Sequence, residues 1–403
     1  MFTGAVPQDA GPAGSSFAGL GLSAPIVSSL DGIGFLHPTP IQASVIPAAL
    51  AGGDIVGLAQ TGSGKTAAFT LPLAERLRHG SRVRGLILSP TREIALQTQS
   101  FLQVVGRDHA LDTVLLIGGV KMGPQIDGLR ADPDIVVATP GRMWDHYERG
   151  NLRLDAIEHV VLDEADHMLD LGFLPQIRRI LEALPVERQT MMFSATMPAQ
   201  IESIANRFMR SPQVIDLRPE HRTAAGIEHR LYLVRPDDMR RCLLAIAEEE
   251  TASMLIFLRR KVDTEWTYLH LKEAGHSVER IHSDRNQSQR VAALQGLRNG
   301  SHRILLATNI AARGIDIPKI EHIVNFGMPD TVEDYIHRAG RTARGSLEGT
   351  VSTIATWKDR ETVRQVERAV GQPLPRCQVA GIEPWEEAKT RIKGRERIRR
   401  KLL

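Results

Sequence analysis

Cysteine is nearly absent: Cys242 and Cys377 are the only two in 403 residues. Two thiols cannot make a disulfide framework, and there is no C-x-x-C pair, which fits a reducing compartment. Long apolar runs are also missing. None approaches the roughly 20 residues that a bilayer-crossing helix needs. The opening Met1-Phe2-Thr3-Gly4 has neither a basic nor an apolar segment of the secretory kind, so a cytoplasmic protein with no membrane attachment is expected. The 14 histidines are scattered, without H-E-x-x-H, which excludes the common zinc-hydrolase patterns. Short-period solenoid repeats are absent. A strong excess of one charge is missing too. Lys+Arg is 50 against Asp+Glu 47, a net +3. Residues 389–403 alone hold eight basic residues and one acidic, or +7, so residues 1–388 sum to −4. An anionic partner of the main body must therefore be held by local patches.

What remains is an ordinary globular composition, 42% hydrophobic and 24% charged, long enough for two or three domains. Residues 1–16, rich in Gly, Ala, Pro and Ser, cannot build a core and are expected to be disordered. Short apolar runs then alternate with amphipathic stretches. Asp54–Leu58, Gly85–Leu88, Val114–Ile117, Ile135–Ala138, Val160–Leu162 and Met191–Phe193 read as strands. Glu93–Val105 and Leu174–Leu184 read as helices between them. A second series has strands at Leu231–Val234, Met254–Phe257, Ile304–Ala307, Ile323–Phe326 and Thr350–Ile354. Alternation of this kind predicts α/β domains, each a mostly parallel sheet flanked by helices. The expected division is a first domain at 17–217, a polar linker at 218–226, a second domain at 227–375 and a basic tail at 376–403.

The sharpest local signal is Ala59-Gln-Thr61-Gly62-Ser-Gly64-Lys65-Thr66, directly after a strand. Small residues let the backbone turn and aim N–H groups at phosphate oxygens. Lys65 can reach the β- and γ-phosphates of ATP, and the Thr66 hydroxyl can ligate Mg²⁺. A helix beginning there adds its dipole. About 100 residues on, the apolar run Val160-Val-Leu162 ends in Asp163-Glu164. Asp163 is suited to holding the metal, and Glu164 to deprotonating the attacking water.

Glu164 is followed by Ala165 and Asp166, spelling D-E-A-D. Here the sequence resembles the DEAD-box ATP-dependent RNA helicases of superfamily 2, closest in flavour to compact bacterial members. The resemblance runs from about Phe17 to Thr353 and implies two tandem RecA-like domains. Gly34-Phe35 and Pro38-Thr-Pro-Ile-Gln42, with Phe17 upstream, resemble the adenine-reading segment. The resemblance implies that the Gln42 amide reads the base, as a group that both donates and accepts can, and that the Phe17 ring stacks on it. Thr61, Gly62 and Gly64 join the nucleotide contacts. Ser194-Ala-Thr196 resembles the segment coupling hydrolysis to strand separation, with hydroxyls able to bond Asp166. Pro90-Thr91-Arg92, Gly118-Gly119 and Thr139-Pro-Gly-Arg142 resemble RNA-contacting segments. Their donors suit a phosphodiester backbone and carry no base information.

In the second domain the resemblance implies RNA contacts from Gln287, Arg290 and Thr308. It implies a ribose contact from Asp316 and coupling roles for Arg313 and His337. Arg341 and Arg344, three apart, fit an arginine finger in cis, since a guanidinium offers a fixed fork of donors to the γ-phosphoryl. The pattern departs from the family at Ser283, Asn309 and Ala343. With the ATP-site positions intact, the expected activity is ATP-dependent, local separation of short RNA duplexes, with Mg²⁺. RNA would be gripped along its backbone as the two domains close. Ribonucleoprotein partners, a monomeric state and RNA tethering by the tail complete the expectation. Two other readings remain open: an ATP-gated RNA clamp or annealing chaperone, and a DNA-directed helicase.

Overall fold

The computed structural model describes residues 16–60, 62–77, 80, 82–218, 226–282, 284–308, 320–342 and 349–383. The expectations on residues 1–15, most of the linker, Thr61, Ser283, Asn309, Arg313, Asp316, Ala343, Arg344 and the tail from 384 lie outside them. The side chain of Gln287 does too.

The chain divides into two compact units, the first running to Arg218. In chain order it contains α1 (Ala24–Gly32), α2 (Pro40–Leu50), β1 (Ile55–Leu58), α3 (Lys65–Arg76), β2 (Gly85–Leu88), α4 (Arg92–Val105), β3 (Thr113–Leu116) and α5 (Met122–Arg130). It continues with β4 (Ile135–Ala138), α6 (Pro140–Glu148), β5 (His159–Leu162), α7 (Ala165–Asp170), α8 (Leu174–Ala183), β6 (Gln189–Ser194), α9 (Ala199–Phe208) and β7 (Gln213–Asp216). Seven strands form one sheet in the order β3-β4-β2-β5-β6-β1-β7, every pairing parallel. Parallel neighbours need crossover connections, so helices cover both faces. β1, β2, β4, β5 and β6 are buried throughout, which explains the apolar runs at their centres. Two cores result, one per face. Phe69, Phe101 and Phe193 belong to one, and Met143, Ile180 and Met192 to the other.

The second unit contains β8 (Ile227–Leu233), α10 (Met239–Glu249), β9 (Met254–Leu258), α11 (Lys261–Glu273), β10 (Val278–Ile281), α12 (Gln287–Arg298) and β11 (Ile304–Thr308). It closes with β12 (His322–Phe326), α13 (Val332–Ala339), β13 (Gly349–Ala355), α14 (Arg360–Val370) and β14 (Arg376–Cys377). Its seven-stranded sheet, β10-β11-β9-β12-β13-β8-β14, is again parallel throughout.

Three strands escape the sequence reading: β7, β10 and β14. All are edge strands. An edge strand faces solvent on one side, so Gln213-Val-Ile-Asp216 and Val278-Glu-Arg-Ile281 lack the apolar run that marked the inner strands. No helix among the described residues is long and apolar enough to cross a membrane.

Candidate functional site

In an open parallel sheet, ligands gather at the carboxyl ends of the strands. In the first unit the sheet order sorts the sequence candidates there into two neighbouring groups. β1, β5 and β6 carry one group, and β2, β3 and β4 the other.

The first group is built around the turn after β1. Gly62 and Gly64 take φ of +87° and +94°, values that L side chains rarely adopt. A Cβ on Gly64 would also lie 2.4 Å from the Gln42 amide nitrogen. That nitrogen donates to the Gly64 carbonyl (3.1 Å), while Gln42 Oε1 accepts from the Thr39 N–H (2.9 Å). Gln42 is fully buried on the first turn of α2, so the adenine-reading candidate is tied directly to the phosphate loop. The Lys65 ammonium donates to the Ala59 and Gln60 carbonyls at 2.5 and 3.0 Å, spanning the loop from within. Thr66 follows on the first turn of α3. Phe17 is 2% exposed and belongs to the core with Leu22 and Ile26, an anchor whose ring would have to be uncovered to stack on a base.

Asp163 extends β5, its N–H donating to the Leu88 carbonyl (2.9 Å), and is 3% exposed. Burial pushes its carboxyl well above the usual range. The neighbouring Glu164 charge adds to this, and Lys65 opposes it. A buried carboxylate in that state is a good fit for a divalent cation, and the Thr66 hydroxyl offers a second oxygen donor of the kind Mg²⁺ takes. Glu164 caps α7 in the left-handed region, at φ 49°. Positive φ in a non-glycine residue is uncommon and concentrates at functional sites. Its Oε2 lies 3.0 Å from His167 Nδ1. Asp166 binds the turn after β6. Its Oδ2 accepts from the Ala195 N–H (3.1 Å), the Thr196 N–H (2.8 Å) and the Thr196 hydroxyl (2.9 Å), and the Asp166 N–H donates to Ser194 Oγ (3.2 Å). The expected contact between Asp166 and these hydroxyls is present.

The second group reads differently. Thr91 caps α4, its hydroxyl accepting from the Ile94 N–H (3.3 Å), after buried Pro90. The Arg92 guanidinium lies over Gly118 and Gly119. A Cβ on Gly119, itself at φ +73°, would fall 1.9 Å from Arg92 Nη1. Arg142 donates to the Val120 carbonyl (3.2 Å), and Thr139 precedes it at the N-cap of α6. Three strand ends, adjacent in the sheet, thus bring together Arg92, Gly119, Thr139 and Arg142.

The match to known proteins decides the family. Residues 39–204 match the DEAD/DEAH box helicase family and residues 236–346 the helicase conserved C-terminal domain. The chain is 37% identical over 382 residues to the DEAD-box ATP-dependent RNA helicase CshA of Bacillus licheniformis, covering 94% of this chain and 78% of that one. It is 39% identical to CshA of Bacillus cereus, covering 94% and 72%. The chain belongs to the DEAD-box helicases. Among solved structures, S. cerevisiae Dbp5 bound to RNA and ADP BeF3 aligns with a TM-score of 0.81 at 27% identity, over 94% of this chain and 99% of that one. A DEAD box protein from the hyperthermophile Methanococcus jannaschii aligns with a TM-score of 0.52 at 34% identity, over 90% and 99%.

In the second unit of this DEAD-box chain, Thr308 ends β11 half-buried. Arg290 lies in the first turns of α12, whose start is fixed by Asn286. The Asn286 Oδ1 accepts from the Gln289 N–H (2.9 Å), and Gln289 Oε1 accepts from the Asn286 N–H (3.1 Å). α13 carries His337, half-buried. It is pinned from within by Tyr335, whose hydroxyl shares a 2.7 Å hydrogen bond with His229 Nδ1. Arg338, part of the same run, is structural: its guanidinium donates to Asn325 Oδ1 (2.8 Å) and lies over the Phe257 ring. Arg341 follows, 5% exposed, its N–H donating to the Arg338 carbonyl (3.0 Å).

Two residues were missed from the sequence. Gln125 is buried on α5. It accepts from the Ile117 N–H and donates to the Ile117 and Lys121 carbonyls, bracing the loop that holds Gly119. A glutamine of this kind carries no local signal. His167 had one, lying three residues from Glu164 at the start of a helix, where i and i+3 meet.

Proposed function

We infer that this chain is an ATP-dependent RNA helicase, an RNA-stimulated ATPase that separates short duplexes locally. The observation that carries the reading is the strand end Asp163-Glu164-Ala165-Asp166. There a buried carboxylate senses the Lys65 charge, a second carboxylate stands beside it, and a third clamps the Ser194–Thr196 turn. The loop glycines and Lys65 bind the phosphates of ATP, and Gln42 orients the adenine. Asp163 and Thr66 would hold Mg²⁺, which when bound supplies neutralising charge on the phosphates. Glu164 takes the proton of the attacking water. Arg341 and Arg344 stabilise the γ-phosphoryl charge in the transition state. Asp166 passes the change to Ser194 and Thr196, and the group around Arg92 and Arg142 grips the RNA backbone. Contacts to 2′-hydroxyls give RNA its preference over DNA. The cytoplasm is the proposed site of action, with ribonucleoproteins as partners.

The test is steady-state ATP turnover of the purified chain with Mg²⁺, alone, with single-stranded RNA, and with DNA of the same sequence. Stimulation by RNA alone, followed by unwinding of a short RNA duplex, is the expected result. Equal stimulation by DNA would replace the reading with a DNA-directed helicase. Stable RNA retention on a non-hydrolysable ATP analogue without strand separation would replace it with a clamp.

A further inference from the structure

We propose that His167 is a positioning residue for the catalytic base, its Nδ1–H holding the Glu164 carboxylate in register for water. The proposal rests on the ATPase reading and deepens it. His167 occupies the first turn of α7, immediately after the D-E-A-D tetrad, and is 4% exposed. Its Nδ1 stands 3.0 Å from Glu164 Oε2. Its other ring nitrogen, Nε2, is buried and has no hydrogen-bond partner among the described residues.

That asymmetry assigns the tautomer. A proton on Nε2 would be a buried donor without an acceptor, whereas a proton on Nδ1 meets a carboxylate. The ring therefore donates from Nδ1 to Oε2. An apolar side chain would fill the space without stranding a polar atom, so what the ring adds beyond packing is its hydrogen bond to the glutamate. The Glu164 backbone sits in the left-handed region, and positive φ in a non-glycine residue concentrates at functional sites. A base oriented by a third group is the general design of activated-water and nucleophile sites. With Oε2 hydrogen-bonded to the ring, the Glu164 carboxylate takes the proton from water, and the hydroxide adds to the γ-phosphorus as its bond to the β–γ bridging oxygen breaks and ADP leaves. The His167 N–H also donates to Asp166 Oδ1 (2.9 Å). One residue thus ties the base to the carboxylate that clamps the Ser194–Thr196 turn.

The experiment compares His167→Leu, His167→Asn and His167→Gln in RNA-stimulated turnover, with KM for ATP and RNA measured separately. An asparagine amide places its N–H near the position of Nδ1; a glutamine amide reaches too far. The Leu variant is expected to lose about tenfold or more in kcat with both KM values within about twofold. The Asn variant should return to within about threefold of the parent, and the Gln variant should not. In a Glu164→Gln background, His167→Leu should change the residual turnover by less than about twofold, because the group it positions is gone. Melting curves accompany each variant. If the Leu variant fails to fold, the Asn–Gln contrast and its loss in the Glu164→Gln background decide the matter. A Leu variant with unchanged kcat, an Asn variant no better than Gln, KM rising in step with the loss, or an undiminished effect in the Glu164→Gln background would each overturn the proposal. Absence of RNA stimulation in the parent would instead overturn the helicase reading.

Discussion

The two groups at the strand ends of the first domain share one sheet and one rim, yet they are built on opposite physical plans. Around β1, β5 and β6, the candidate side chains Gln42, Lys65, Asp163, Asp166 and Ser194 are buried, with Glu164, Thr66 and Thr196 half-buried. Around β2, β3 and β4, Arg92 and Arg142 are half-buried and Gly119 is open to solvent. The first plan suits chemistry. A carboxylate taken out of water acquires a shifted proton affinity and a fixed direction, which bond-breaking at a phosphate needs. The second suits a polyanion. Guanidinium groups and backbone N–H groups meet phosphates with little burial, and salt modulates the grip. The difference teaches that turnover and RNA affinity should be separable by mutation in this domain, despite their shared sheet.

The strongest way to sharpen that contrast is Glu164→Gln. It keeps size and hydrogen bonding and removes the proposed base. General-base catalysis is worth about 10²- to 10⁴-fold. The expected outcome is a loss of that order in single-turnover hydrolysis, with ATP affinity and RNA affinity both retained. Hydrolysis within about threefold of the parent would mean that the proton leaves by another route and that the buried group is not the chemical centre.

How far this contrast was legible in the sequence depends on how local each part is. The Ala59–Thr66 loop and the Asp163–Asp166 tetrad are contiguous, so their spelling exposed them. The inner strands showed through unbroken apolar runs, while the edge strands β7, β10 and β14 did not, since half-exposed strands carry no such run. The pairing of Gln42 with the Gly64 carbonyl spans 22 residues, and the seat of Arg92 over Gly119 spans 27. Only the sheet order brings such pairs together. Arg338, next to His337, shows the same limit: nothing local announces that its guanidinium donates to Asn325 and lies over the Phe257 ring.

A second, milder way to separate the groups is pH. Burial and the Glu164 charge raise the proton affinity of Asp163. A group raised in this way is protonated at higher pH than an ordinary carboxylate, and protonation removes its capacity to hold a metal. Affinity for Mg²⁺-ATP should therefore weaken as pH is lowered from about 8 to about 6, approaching tenfold per unit at the acid end. RNA affinity without nucleotide should stay flat over the same range. On that side burial holds His146 below its usual range, which favours its neutral form, and Arg149 holds Asp145 below its own, which favours its ionised form. Isothermal titration of both ligands at several pH values checks this. Parallel pH curves for ATP and RNA would erase the distinction.

The smallest effect comes from Gly119→Ala, and it tests the exposed group alone. The substitution forces a side chain into φ +73° and drives its Cβ against the Arg92 guanidinium. The backbone term is about 1 kcal/mol. If relief comes from swinging Arg92 aside, one charge-assisted contact to phosphate is lost, typically about 1.5–3 kcal/mol. Some of that is recovered as the guanidinium finds another oxygen, so a rise of about tenfold in the RNA concentration for half-maximal stimulation is expected. Basal turnover without RNA should hold, because the three atoms that a Cβ on Gly119 would meet first all belong to Arg92. Lowered salt should restore part of the lost affinity, as it would for any weakened phosphate grip. A fall in basal turnover equal to the loss of RNA affinity would show instead that strain at the exposed end of the sheet travels across β2 to the buried carboxylates of β5, and that the two plans are mechanically one.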